Sequence, residues 1–342
     1  MELNYTIDNL LLGKDLHKKS AFLFFDGILT KNREKNIETA LALLHKKTET
    51  AEELVALVEY ARKRTKRPSI EKNKNFKHLH HRLTDGCGTG GDGKHTFNIS
   101  TIACLVAASA GAYIAKHGNR SITSRCGSSD LVESLGIKLD QTPRQMLRSI
   151  QTTHFIQAFQ NISQVRKNLS QNKIKTIFNL AGPLLNPARV QRQVIGVFHR
   201  RYLKVMASAL KQLGTQRALV FIGRDGTDEL TTHSPNLVVE LRAGKIRQYS
   251  LDGLSLGLRK SKAADLDGGG PLLNRKIALR ILQGKDKSTR RDVICLNAAA
   301  ILYVSEVAKS LKEGVRLSRI ALDSGRTYNT LLKLRQISND SR

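Results

Sequence analysis

The chain has 342 residues, 40% apolar and 25% charged, which suits one large α/β domain plus a smaller one with a substantial core. Its 57 Lys and Arg against 29 Asp and Glu give a formal charge of +28, which leaves both a polyanionic partner such as nucleic acid and a solvated basic surface open. No apolar run of about 20 residues and no basic leader is present, so we exclude a membrane protein and expect an uncleaved cytoplasmic one.

The first 65 residues have helical periodicity. Thr50 and Glu53 have the spacing of a capping box at the start of one of these segments. Apolar residues recur at three- and four-residue spacing in four segments: Asp8–Leu12, Lys18–Gly27, Asn36–His45 and Thr50–Arg64. The pattern predicts a small helical domain over residues 1–65.

A basic segment follows, with nine Lys and Arg against the single Glu71 between Arg62 and Arg82. It lacks apolar periodicity, which predicts an exposed linker over residues 66–82. An arm that touches phosphate or nucleic acid is the alternative.

Residues 83–342 alternate between strand and helix patterns, which predicts an α/β domain with a central, mostly parallel sheet. The predicted strands are Ala112–Ala115, Val194–Phe198, Arg217–Ile222, Leu237–Leu241 and Lys245–Ser250. The predicted helices are Ile99–Ser109, Leu131–Leu135, Tyr202–Leu213, Leu272–Leu282 and Asp292–Lys312. The four cysteines lack CxxC or zinc-ligand spacing, so we expect buried or loop thiols.

Two loops carry the residue types that bind phosphate. In Gly88–Thr101, glycines precede a hydroxyl-rich helix start, where Asn98 or Ser100 is expected to cap the helix. In Lys116–Asp130, a short strand leads into a cationic, hydroxyl-rich loop and then a helix. Two such loops in one domain suit a substrate with phosphates at both ends.

Adjacent carboxylates, Asp228 and Glu229, follow the strand that ends at Ile222. At the carboxyl end of a strand they are well placed to hold Mg²⁺ beside a diphosphate. Without the two loops, surface acids of a turn would be the simpler interpretation.

The motifs resemble those of the anthranilate phosphoribosyltransferase family along nearly the whole chain. The matching segments are Gly88–Asp92, Phe97–Thr101, Lys116–Ser121, Gly127–Gly136, Thr176–Leu184 with Asn186-Pro187, Asp225–Glu229 and Asn297–Ala299. The resemblance implies a small helical domain joined by helices from about residues 163–190, an α/β domain that binds phosphoribosyl pyrophosphate, and a homodimer.

The resemblance also implies Mg²⁺-dependent transfer of phosphoribosyl to the amine of anthranilate, in tryptophan synthesis. It places the substrates on Gly88, Gly91, Asp92, Thr96, Asn98, Ser100, Thr101, Lys116, His117, Gly118, Asn119, Ser128, Arg166 and Gly182, and Mg²⁺ on Ser100, Asp228 and Glu229. An aromatic amine is nucleophilic while neutral, so we name no catalytic base. Lys116 and Mg²⁺ are expected to stabilise the departing charge. For His117, a hydrogen bond behind the site is an alternative to substrate contact.

One segment departs from the family. Before the segment Thr176–Asn179, which we expect to be strand-like, its members carry a Tyr-His-Pro stretch followed by an Arg that pairs with the anthranilate carboxylate. This chain instead reads Phe155–Ile162. Arg166 supplies that cation in one register, and Leu169 takes its place in the other. The alternative is a divergent relative that binds nucleic acid and has a different or lost transferase substrate. A pyrimidine-nucleoside phosphorylase fits the loop motifs poorly.

Overall fold

The computed structural model describes residues 2–30, 34–64, 74–118, 120, 125–159 and 175–340. The amino-terminal part is helical, as predicted. Its helices are α1 (Glu2–Leu11), α2 (Lys18–Thr30), α3 (Glu34–Lys47) and α4 (Ala51–Arg64). The predicted capping box is confirmed: the Glu53 amide donates to Thr50 Oγ1 at 3.3 Å, and the Thr50 amide donates to Glu53 Oε2 at 2.8 Å.

The predicted linker is wrong over Lys74–His80, which form helix α5. Phe76 is buried in a small cluster that also contains Leu83 and Val190. This segment has too few apolar residues to show helical periodicity in the sequence. Phe76 and Leu79, three residues apart, are nevertheless enough to pack one short helix against the cluster. Residues 66–73 of that prediction lie outside the described residues.

A seven-stranded sheet forms the centre of the remaining chain, which confirms the α/β fold. The strands are β1 (Thr84–Gly88), β2 (Ile114–Gly118), β3 (Phe155–Phe159), β4 (Arg192–Gly196), β5 (Arg217–Gly223), β6 (Asn236–Arg242) and β7 (Lys245–Leu251). Their order is β3-β2-β1-β4-β5-β6-β7. Strands β1 to β5 are parallel, and β6 and β7 form the predicted antiparallel hairpin.

Helices cover both faces of the sheet. They are α6 (Ile99–Ser109), α7 (Ser128–Ser134), α8 (Pro143–Thr153), α9 (Ile177–Leu184), α10 (Tyr202–Gln212), α11 (Pro271–Leu282), α12 (Thr289–Val304), α13 (Leu311–Asp323) and α14 (Arg326–Asn339). None of the helices described here is long and apolar enough to cross a bilayer.

Alternate residues of the strands belong to two hydrophobic cores, one on each face of the sheet. Val194 and Leu219 pack with α6 and α12 on one face, and their neighbours Ile195 and Val220 pack with α10 and the amino-terminal helices on the other. The amino-terminal helices thus share a continuous core with the sheet. The proposed boundary between a helical and an α/β domain stays a prediction.

Two further expectations are corrected. Thr176–Asn179, expected to be strand-like, begins helix α9, because Thr176 Oγ1 accepts from the Phe178 amide and Asn179 reaches back to the Thr176 amide. The single helix expected over Asp292–Lys312 is two, α12 and α13, because Ser310 caps a new helix by accepting from the Glu313 amide.

Candidate functional site

The glycine-rich loop begins where β1 ends. Gly90, Gly91 and Gly93 have φ of 65°, 82° and 74°, a backbone conformation that side chains rarely adopt. Gly88 has a different reason to lack a side chain, because a Cβ there would lie 2.3 Å from Asp228 Oδ2. The loop is therefore built around a carboxylate that is 140 residues away in sequence.

Asp228 and Glu229 lie under this loop, each only 8% exposed. The Gly90 amide donates to Asp228 Oδ2 at 2.7 Å, and the Asp228 amide donates to Asp92 Oδ2 at 3.3 Å. Burial raises the pKa of Asp228 well above its usual value, and the neighbouring Asp92 and Glu229 carboxylates raise it further. Burial also raises the pKa of Glu229, to about 7, against the hydrogen bond from the Ser100 amide and the charge of Lys116.

Helix α6 starts at the same point. The expected cap by the Asn98 or Ser100 side chain is wrong: Asn98 makes no side-chain cap, and its Nδ2 instead donates to the Cys126 carbonyl at 3.1 Å. Glu229, although far away in the sequence, takes the role of the helix cap. Its Oε1 accepts a hydrogen bond from the Ser100 amide at 3.1 Å, and its carboxylate also bonds the Ser100 side chain. The three predicted metal ligands, Ser100, Asp228 and Glu229, are thereby brought together.

The second loop leaves β2 beside the first. Gly118 approaches helix α7 so closely that a Cβ on it would lie 2.1 Å from Ser128 Oγ. Asn98, through Cys126, ties the start of α6 to the end of this loop. Thr96 forms an isolated bridge with Asp267, which anchors the first loop to the segment before α11. The predicted phosphate-binding loops therefore converge.

Lys116 belongs to strand β2 and is 1% exposed. Its Nζ donates to the Gly86 carbonyl at 2.7 Å, so it reaches beneath β1 and not out into solvent. Burial by itself would lower the pKa of Lys116, but its charge interactions with the ionisable groups of Cys104, Asp85, Cys87 and Glu229 outweigh burial and raise that pKa. Lys116 is a fixed positive charge under the glycine-rich loop.

His117 is buried next to Lys116 and bridges three elements. Its Nδ1 lies 2.6 Å from Asp85 Oδ2, and its Nε2 lies 2.9 Å from the Gly182 carbonyl. Burial would raise the pKa of Asp85, but the charge and hydrogen bond of His117 lower it below its usual value. Asn186 Nδ2 donates to the same carboxylate oxygen at 2.8 Å. His117 thereby links strands β1 and β2 to helix α9.

Asp85, Cys87 and His117 lie within 4.8 Å of one another, a spacing that would admit a metal ion. Asp85 and His117 are already satisfied by each other and by Asn186 and Gly182. Burial also raises the pKa of Cys87 well above its usual value, which favours the neutral thiol when no metal is bound. This trio is structural.

Cations surround the mouth of the site. A Cβ on Gly91 would lie 3.7 Å from Lys175 Cε, so Lys175 flanks the glycine-rich loop. Burial lowers the pKa of His199, and Arg201, Arg200 and Lys175 lower it further. Such a positive field favours an anionic substrate.

Sequence reasoning missed Asp85, Lys175 and Asn186 as parts of this site. Asn186 was visible only as part of a family motif, and the others carried no local signal. Of the predicted substrate residues, Gly88, Gly91, Asp92, Asn98, Ser100, Gly118 and Ser128 lie on the converging loops, Thr101 and Lys116 are buried behind them, and His117 and Gly182 bond to each other. Asn119 and Arg166 lie outside the described residues.

Comparison with known proteins gives a consistent result. The family model for the glycosyl transferase family, a/b domain, matches residues 80–328. The anthranilate phosphoribosyltransferase of Methanosarcina mazei is 40% identical over 94% of this chain and 85% of its own. That of Caldanaerobacter subterraneus subsp. tengcongensis is 36% identical over 97% of both chains.

Solved structures agree in fold. The anthranilate phosphoribosyltransferase of Thermus thermophilus is 35% identical with a TM-score of 0.85, covering 98% of this chain and 99% of its own. The enzyme of Saccharomyces cerevisiae in complex with PRPP and Mg is 23% identical with a TM-score of 0.81, over 98% and 97% of the two chains. The latter likeness concerns the fold alone.

Proposed function

The chain belongs to the anthranilate phosphoribosyltransferases, within the glycosyl transferase family. We therefore propose that it transfers phosphoribosyl from phosphoribosyl pyrophosphate to the amine of anthranilate. One observation carries the proposal. Both members of the buried Asp228–Glu229 pair accept hydrogen bonds from backbone amides. Asp228 is bonded to the glycine-rich loop, and Glu229 is bonded to the first turn of α6. Carboxylates, backbone amides and a helix start converge where a diphosphate and its cation require them.

The donor set fits Mg²⁺. Asp228 and Glu229 have oxygens of the type that this ion prefers, and Ser100 adds a hydroxyl. Burial raises the pKa values of both carboxyl groups, and a bound cation would offset this cost of ionising the pair. Bound there, Mg²⁺ would supply positive charge beside the leaving diphosphate.

In the reaction, the bond between C1 of the ribose and the pyrophosphate oxygen breaks, and the electron pair leaves with the pyrophosphate. The lone pair of the anthranilate amine forms the new C1–N bond, and the amine proton passes to solvent. Charge grows on the leaving group, so residues that hold fixed positive potential there lower the barrier. Lys116 acts from beneath the loop, since its Nζ is bonded to the Gly86 carbonyl. His117 holds the Gly182 carbonyl, so its role is to position α9 and not to accept a proton.

The test is a mixture of the protein with anthranilate, phosphoribosyl pyrophosphate and Mg²⁺, followed by the loss of anthranilate fluorescence. We expect turnover that disappears in an Asp228→Ala/Glu229→Ala variant. Asp140→Ala, which removes an exposed carboxylate outside the site, is the control and should keep full turnover. A wild-type protein that binds the sugar phosphate but never consumes anthranilate would refute the choice of acceptor.

We further propose a homodimer that forms through α1 and α2, as the family resemblance implies. Leu11 and Leu12 are 62% and 70% exposed and Leu23 is 40% exposed. Leu11→Ser/Leu12→Ser should lower the mass measured by light scattering to that of a 38.0 kDa monomer if this surface is the interface.

A further inference from the structure

The two carboxylates of the proposed metal site lie between two anchored stretches of backbone. On the side that leaves β5, the Gly223 amide donates to the Thr227 carbonyl at 2.9 Å and closes a tight bend. Asp225 reinforces this bend, because its Oδ1 accepts from the Thr227 amide at 3.2 Å and its Oδ2 lies 2.9 Å from His233 Nε2. The backbone is therefore fixed up to the residue before Asp228. We call residues 227–230 the carboxylate turn.

Helix α12 anchors the other end of the carboxylate turn. Asn297 Oδ1 accepts from the Leu230 amide at 3.2 Å, and Asn297 Nδ2 donates to the Leu230 carbonyl at 2.8 Å. A carboxamide has both a donor and an acceptor, so it can pair with both polar groups of one backbone residue. Leu230 directly follows Glu229, so this two-point contact fixes the chain at the first position after the pair.

The next residue is held in the same way from strand β6. Asn236 Oδ1 accepts from the Thr231 amide at 3.0 Å, and Asn236 Nδ2 donates to the Thr231 carbonyl at 2.9 Å. Both asparagines are buried, Asn297 with 3% exposure and Asn236 with none. Two consecutive backbone residues thus have their donors and acceptors paired by side chains from different elements, which restrains the carboxylate turn against rotation and sliding.

Helix α12 itself gives no reason for an asparagine at position 297. The neighbouring residues 293–296 and 298–300 are apolar and buried, apart from this one carboxamide. Asparagine has a lower helix propensity than leucine or alanine, and a buried carboxamide costs stability unless its polar atoms are bonded. One bond goes to the Val293 carbonyl of the same helix, at 2.9 Å, and the other two go to Leu230. The choice of residue is therefore explained by the carboxylate turn.

We propose that Asn297 is a positioning residue for the metal site, which acts through the backbone of Leu230 and not by contact with substrate. This inference rests on the proposed function. Glu229 Oε1 must accept from the Ser100 amide while the carboxylate beside it accepts from the glycine-rich loop. Adjacent side chains reach two different elements in this way only if the peptide between them and the peptide after them keep one orientation. Asn297 sets the second of these orientations.

The inference also gives a physical role to the last of the family-like segments, Asn297–Ala299. This segment is 67 residues beyond Leu230 and supplies no side chain to the phosphate-binding loops. Ala299 serves helix packing, because a Cβ on Gly314 of α13 would lie 2.8 Å from Ala299 Cα. The alanine admits a neighbouring helix, and the asparagine holds the carboxylate turn.

Calorimetry of phosphoribosyl pyrophosphate binding, with and without Mg²⁺, tests the proposal on the full chain. Asn297→Leu keeps a branched side chain and removes all three hydrogen bonds. The ratio of the two affinities isolates the contribution of the cation, and we expect this ratio to fall about 10- to 100-fold, as is typical when a group that orients a metal ligand is lost. The Mg²⁺ concentration for half-maximal turnover should rise by a similar factor, and the KM for anthranilate should stay unchanged. Asn297→Ala is the second variant, with the same expected direction.

The control is Leu302→Ala, which removes a fully buried side chain from the same helix nearer its carboxyl end. The cavity destabilises α12 in urea unfolding, but the carboxylate turn keeps its hydrogen bonds, so the affinity ratio should match that of the wild type. An equal fall in Leu302→Ala and Asn297→Leu would assign the effect to general instability and overturn the proposal. So would a wild-type ratio in folded Asn297→Leu or Asn297→Ala. A wild-type protein that never binds the sugar phosphate is a separate outcome, which refutes the proposed function and this inference with it.

Discussion

Gly196 ends strand β4 directly beneath the Asp228–Glu229 turn, and replacing it with Ala perturbs the proposed metal site without touching a ligand. A Cβ on Gly196 would lie 1.7 Å from the Asp228 carbonyl oxygen and 2.4 Å from its carbonyl carbon. Backbone atoms cannot rotate away as a flexible side chain does. The turn must therefore move by more than 1 Å or so to restore ordinary van der Waals contact.

The expected magnitude follows from that displacement. Misplacing catalytic groups by about 1 Å costs on the order of 100-fold in rate. Forcing an extra carbon into a packed site costs about 1–3 kcal/mol of folding stability. We therefore expect Gly196→Ala to lose at least about 100-fold of its turnover while remaining folded at 25 °C, since most domains have about 5–15 kcal/mol to lose.

Three measurements separate these effects: turnover from anthranilate fluorescence, affinity for phosphoribosyl pyrophosphate with Mg²⁺ by calorimetry, and the free energy of unfolding by urea. Gly214→Ala is the control, because φ there is 83° and a Cβ meets nothing within 4 Å. It should lose about 1–2 kcal/mol from its left-handed backbone and keep its turnover. Wild-type turnover and sugar-phosphate affinity in Gly196→Ala would refute the coupling between β4 and the carboxylate turn.

Further predictions concern the carboxylates and the acceptor. Asp228→Asn/Glu229→Gln should abolish Mg²⁺-dependent binding of phosphoribosyl pyrophosphate in calorimetry. The same variant without metal should be as stable as the wild type or more stable, because the substitutions remove two buried anions. A large loss of stability would mean that the pair is structural. Asp85→Asn should cost about 3–5 kcal/mol in urea unfolding at pH 7. Because the folded pKa of Asp85 is lowered, its contribution is present above the unfolded value near 4 and is lost as pH falls below it, so the wild type and variant should converge in acid. Arg166→Ala should raise the KM for anthranilate and leave that for the sugar phosphate unchanged if Arg166 pairs with the carboxylate; an unchanged anthranilate KM would favour the register that places Leu169 there.

The sequence predicted the elements whose signal is local. Helix α6 has the predicted bounds, Ile99–Ser109, because its run of buried Ile, Leu, Val and Ala is soon followed by Gly111, whose φ of 109° cannot continue a helix. Strand β1, Thr84–Gly88, was missed because two of its five residues are glycines, which have low strand propensity. It forms because β2 and β4 pair with it on either side.

A boundary error in the strand prediction explains why Lys116 lies beneath the glycine-rich loop and not on a loop of its own. The strand predicted over Ala112–Ala115 in fact runs over Ile114–Gly118, so Lys116 and His117 are strand residues and not loop residues. Side chains alternate along a strand, and both positions are covered by packed helices or strands. The lysine is consequently buried against β1, and the histidine reaches Gly182 and not the solvent.

The long-range part of the site follows from topology. From β1 the chain moves to β2 and β3 on one side, and from β4 it moves to β5 and β6 on the other, so the order reverses between β1 and β4. A crevice opens at the carboxyl ends of strands at such a switch point. Gly88 and Gly196 are register partners at the last position of those two strands, and each would collide with Asp228 if it carried a Cβ. Because both strand ends lack side chains, the carboxylate turn from β5 can lie across the crevice and meet the glycine-rich loop. A motif search finds the two halves of this contact separately, and only the strand order shows why they touch.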